Sequence, residues 1–71
     1  MKRAYVLEVL YVDGFNEQFY LYDITHEEME EFKEQVYQYI LDGFGVIEVK
    51  EEQLTTYINV AKVLRVSVRP E

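Results

Sequence analysis

His26-Glu27-Glu28-Met29-Glu30-Glu31 is the stretch of this 71-residue chain whose residue types could hold a metal or move a proton. A zinc-protease motif reads His-Glu-x-x-His, with two imidazoles one helical turn apart and the glutamate acting as base. Here the second histidine position is Glu30, and the chain contains one histidine in all. Glu27, Glu30, Glu31 and Glu34 gather four carboxylates at helical spacing, but a calcium site also draws in loop carbonyls. Such a run is commonly a solvated helix face, with Glu27 and Glu28 stabilised by the positive helix N-terminus. Neither a metal nor a cofactor is expected. Paired carboxylates do acid–base work only in a cleft that drives their pKa values apart, and nothing in the sequence marks one. Ser67, the only serine, is flanked two residues away on each side by Arg65 and Arg69, with no histidine near. There is no cysteine, so thiolate chemistry and disulfides are excluded. Gly14, Gly43 and Gly45 do not form a phosphate-binding loop. The expectation is a protein that is not an enzyme.

The glutamates carry a second message. Glu27/Glu31 and Glu30/Glu34 are like-charged pairs four residues apart, each destabilising a helix by about 0.3 kcal/mol. Selection for stability alone would interleave lysines, so the ridge serves solubility or a basic partner. The imbalance is local: positions 23–34 hold six acids and one base in a chain of net charge −7. Lys2, Arg3, Lys62, Arg65 and Arg69 lie toward the two termini, so the molecule is expected to be electrically polarised.

The element that must position the ridge is a helix from Ile24 to Gly43. Thr25 and Glu28 have the spacing of a capping box, in which the threonine oxygen accepts from the N3 amide and the glutamate reaches back to the cap amide. Ile24 and Met29 fit a hydrophobic staple, and Asp42-Gly43 supplies the left-handed residue that ends a helix. Met29, Phe32, Val36 and Ile40 form its apolar stripe, with Tyr37 and Tyr39 on the shoulders.

Before the helix, Tyr5–Val12 and Phe15–Tyr22 are rich in β-branched and aromatic residues and flank Asp13-Gly14, which predicts a hairpin. A three-residue loop, Val12-Asp13-Gly14, groups Tyr5, Leu7, Tyr11, Phe15, Phe19 and Leu21 on one face, although it leaves Val9 opposite Glu17. Val6, Leu10, Tyr20 and Tyr22 then face away from the helix. After the helix, Val46–Lys50 alternates, Thr55–Asn59 reads as a short strand, and Val63–Val68 as a clearer one with Leu64, Val66 and Val68 inward. Arg65, Ser67 and Arg69 face the other way, and Pro70 ends the pairing. Residues 55–60 and 63–68 are either one bent strand or two. The expected fold is a single α+β domain over residues 1–71: an antiparallel sheet of four to five strands, ordered β-β-α-β-β-β, with one helix across one face.

The closing stretch Tyr57-Ile58-Asn59-Val60-Ala61-Lys62-Val63-Leu64-Arg65-Val66 resembles a pattern in short, uncharacterised bacterial and prophage α+β proteins. In those, an aromatic-Ile-Asn strand turns through a lysine-containing step into a final alternating strand. The resemblance covers about a third of the chain. It implies a fold and a mobile-element origin, and no active site.

Met1-Lys2-Arg3 runs into a strand interrupted by Glu8, the wrong pattern for a signal peptide, and no apolar run approaches the ~18 residues that span a membrane. A cytoplasmic protein without a membrane partner is expected. The expected function is a non-enzymatic protein–protein interaction module, self-associating as a homodimer. Its contact face would be Val6, Leu10, Tyr20 and Tyr22, with Arg65 and Arg69 at the edge. The alternative is an acidic decoy in which Glu27, Glu30, Glu31 and Glu34 imitate a phosphate row and occupy a basic, nucleic-acid-binding protein. Direct nucleic-acid binding is disfavoured, because a net charge of −7 repels phosphates.

Overall fold

The hairpin forms first along the chain and fixes everything that follows. In the computed structural model, which describes residues 1–71, β1 (Lys2–Tyr11) and β2 (Asn16–Thr25) pair antiparallel around the three-residue loop Val12-Asp13-Gly14. Tyr11 N–H donates to the Phe15 carbonyl at 2.8 Å, and Gly14 N–H to the Tyr11 carbonyl at 2.9 Å. Val9 therefore sits opposite Glu17 and Leu7 opposite Phe19. Both strands run beyond their expected limits, reaching Lys2 on one side and Thr25 on the other.

That extension depends on a bulge. Arg3 pairs with Ile24 but Tyr5 with Leu21, so β2 carries one extra residue opposite Ala4. Asp23 absorbs it with φ +58°, a left-handed conformation that aspartate tolerates better than most residues. Strict alternation from Leu21 would turn Asp23 inward. The extra residue turns Ile24 inward instead, where it packs against the core.

The helix α1 (His26–Asp42) starts at the expected cap. Thr25 Oγ1 accepts from Glu28 N–H at 3.1 Å, and Glu28 Oε1 accepts from Thr25 N–H at 2.9 Å. Gly43 closes the helix in the left-handed region. Two residues on, the backbone of Gly45 passes so near the Tyr39 ring that a Cβ would lie 2.6 Å from it, so only glycine fits.

The expected single sheet is two. The first is ordered β2-β1-β5 and the second is the pair β3 (Val46–Lys50) and β4 (Thr55–Asn59), with β5 spanning Val63–Pro70. Residues 55–59 and 63–70 are thus separate strands. A 3-10 turn, Val60–Lys62, divides them, and Asn59 Oδ1 caps it by accepting from Ala61 N–H at 3.1 Å. This turn carries the chain out of the second sheet and back to β1, where Val12 N–H donates to the Lys62 carbonyl. One core joins both sheets and the helix: Tyr5, Leu7, Val9, Phe19, Leu21, Met29, Val36, Ile47, Val49, Ile58 and Val60.

Three residues expected to face inward are exposed, one of them Ile40, two residues from the C-terminal end of α1. Phe15 is exposed, because it sits at the loop beyond the reach of the helix. Leu64 is exposed as well, because β5 has its own bulge: Leu10 pairs with Arg65 and Tyr11 with Val63, leaving Leu64 unpaired. Val63 takes the inward place beside Val66 and Val68.

Candidate functional site

Three surfaces compete for the role, and their geometry separates them. The acidic ridge is where the helix period puts it, with Glu27, Glu30, Glu31 and Glu34 all exposed. Lys33 crosses onto it, its Nζ 2.6 Å from Glu30. That bond holds the Glu30 carboxyl below the usual carboxylate range. Glu28 is also held low, by the hydrogen bond from the Thr25 backbone, and so belongs to the cap. No three His, Asp or Glu side chains converge in a way that could hold a metal ion.

The outer face of the three-stranded sheet differs from expectation. Val6 is 2 % exposed and cannot be a contact residue. It lies on the central strand between two longer side chains, Tyr20 on β2 and Arg69 on β5, and burial beneath such neighbours follows from its short branch. Leu10 is half-buried. Tyr20 is 43 % exposed; its hydroxyl donates to Gln18 Oε1 at 3.4 Å, and Gln18 Nε2 donates to Glu8 Oε2 at 3.0 Å. A polar chain therefore runs across the face, dividing the four residues expected to form one apolar patch. Tyr22 is exposed and lies in the bulge beside Asp23. Arg65 and Arg69 do reach this face, opposite Leu10 and Val6, because β5 pairs with β1.

The loop end of the hairpin holds the one strongly shifted group. Tyr11 donates its hydroxyl to Glu17 Oε1 and stacks on Phe15 with ring centroids 6.1 Å apart. Partial burial, then the Glu17 hydrogen bond and charge, push the Tyr11 phenol up to about 12. This pair satisfies the one acid that the hairpin register brings to its inner face, and it has a structural role.

The third surface was not anticipated. A groove of about 420 Å³ lies between α1 and β5. Its deeper residues are Val36, Val66 and Val68, all buried or half-buried, and Tyr37, Ile40 and Leu64 line it as more exposed neighbours. Tyr37 is 62 % and Leu64 65 % exposed. Lys33 and Arg65 supply the cations at its edge. The groove is lined by α1 and β5 alone, and a smaller cleft of about 270 Å³ lies on the other flank, where Leu21, Ile24, Met29 and Phe32 stand across from Val49 and Lys50 of β3. Leu41 and Phe44, at and just past the C-terminal end of α1, are also exposed.

A sequence signal for it exists. Tyr37, Ile40 and Leu41 recur at i, i+3 and i+4 in the last turns of α1, so the apolar face of the helix widens there beyond the stripe that packs inward. Leu64 has no such signal, since its exposure depends on the β5 bulge. No helix is long and apolar enough to cross a membrane. Comparison with protein-family models, with curated proteins and with solved structures finds no match for this chain.

Proposed function

We propose that the chain is a non-enzymatic protein-interaction module working through the groove between α1 and β5. The observation that carries this reading is the exposure of Tyr37 and Leu64 around a groove whose aliphatic base is the buried Val36 with the half-buried Val66 and Val68. Large apolar side chains left in water beside a concave surface forgo burial worth about 25 cal/mol per Å², and natural proteins keep such groupings where a partner covers them.

Self-association through Val6, Leu10, Tyr20 and Tyr22 is not carried forward in that form, because its central residue is buried. The acidic ridge retains exposure alone in its favour, with Glu30 already paired to Lys33. Selection of displayed random peptides against the wild-type chain tests the groove. Enriched peptides should lose binding to a Tyr37→Ser, Leu64→Ser double variant whose unfolding midpoint is unchanged. Enrichment confined to peptides that bind the double variant equally well defeats the proposal.

A further inference from the structure

We infer that the occupant of this groove is an extended segment of another protein, alternating apolar residues with carboxylates, added as a fourth strand along the free edge of β5. This rests on the groove being the working surface and goes further by naming the partner's chemistry.

The sheet order β2-β1-β5 leaves β5 with one edge unpaired. The opposite edge, on β2, carries a carboxylate of its own: Tyr20 N–H donates to Glu51 at 3.3 Å, which disfavours an acidic strand there. Unpaired backbone groups on an edge strand are a template for another strand. A strand laid against β5 would direct alternate side chains to the face of Val66 and Val68, beneath Tyr37 and Ile40. Those positions call for apolar residues. Pro70 still pairs with Tyr5 on the inner side but has no N–H to offer an added strand.

The remaining side chains of the added strand would lie beside Arg65, Ser67 and Arg69. Neither arginine makes an ion pair; the two that form are Lys33–Glu30 and Lys50–Glu48. No acid occurs anywhere from Gln53 to Pro70. Two unneutralised guanidinium groups along an open edge, in a chain with twice as many acids as bases, call for carboxylates on the neighbouring strand. The same residues disfavour a second copy as occupant. Antiparallel β5–β5 pairing would bring four arginines to one seam with no carboxylate on either strand, and like charges across strands are destabilising.

The probes are short peptides flanked by prolines to prevent self-assembly, alternating valine with glutamate, or valine with lysine. A chain of net charge −7 attracts the lysine peptide if contact is unspecific, so the expected preference runs against the global field. The glutamate peptide should bind about tenfold tighter than the lysine peptide, with amide shifts confined to Leu64–Arg69 and the facing side of α1. Arg65→Ser with Arg69→Ser should abolish the preference while leaving the circular dichroism unchanged. Equal binding of both peptides at β5 would overturn the acidic-partner inference and leave the groove standing. Binding that maps to the glutamate ridge or to Tyr20 and Tyr22, or no binding at β5, would overturn the strand addition itself. A wild-type dimer protecting the outer β5 amides from exchange would assign the edge to a second copy, which also contradicts the inference.

Discussion

Replacing Asp23 by valine separates strand propensity from the bulge. In a regular strand valine is favoured over aspartate, on a scale spanning about 1 kcal/mol, so a simple reading of β2 expects stabilisation. At φ +58° the sign reverses. The left-handed conformation costs an ordinary L-residue about 1–2 kcal/mol, and a β-branched side chain is among the worst accommodated there. Aspartate, unbranched at Cβ, enters this region more readily than valine. Asp23→Val should therefore destabilise by roughly 1–2 kcal/mol, a fall of about 5–15 °C in midpoint for a domain of this size. Asp23→Gly relieves the strain but loosens the unfolded chain, so its net change should stay within about 0.5 kcal/mol. Thermal unfolding followed by circular dichroism of the three forms measures this. A valine variant as stable as the wild type would mean that β2 is regular at this position. Ile24 would then lose its reason to point inward, and the start of α1 would need another explanation.

Thr25→Ala removes the acceptor for Glu28 N–H and should cost about 1 kcal/mol in chemical denaturation. Val6→Ala, at a buried site, should cost roughly 2 kcal/mol, whereas Leu64→Ser at an exposed one should change stability by less than about 0.5 kcal/mol. Tyr11 is neutral in the folded state up to about pH 12 but ionises near pH 10.0 once unfolded. Its contribution is thus complete below pH 10.0 and lost as the pH rises through about 12. The fall in unfolding midpoint over that window should be smaller in Tyr11→Phe, and equal slopes in the two forms would contradict the assignment.

What could be read from the sequence was local. The capping box was legible because Thr25, Glu28, Ile24 and Met29 each have one role at fixed spacing. The hairpin loop was legible because only a three-residue connection groups Leu7, Phe19 and Leu21. The two bulges were not, because an extra residue shifts parity without changing composition. Alternation ends β2 at Tyr22, short of the bulge that lets the strand continue to Thr25, and turns Leu64 inward. The division into two sheets was also hidden, since β4 and β5 are separated by three residues that look like ordinary strand. At the candidate site, Arg65 and Arg69 were found by alternation. Val6 faces away from the helix yet not toward water, because it lies on a central strand flanked by Tyr20 and Arg69.

The central claim is that partners are met at the α1–β5 groove, and site-specific photo-cross-linking in the cells that make the protein tests it most directly. A photoreactive side chain is placed in turn at the positions of Leu64 in the groove, Tyr22 on the outer sheet face and Glu31 on the acidic ridge. All three are exposed, so each reports its surface without disturbing the core. The groove reading predicts a discrete cross-linked product from position 64 and none from positions 22 and 31. Products from 22 or 31 with none from 64 would contradict it.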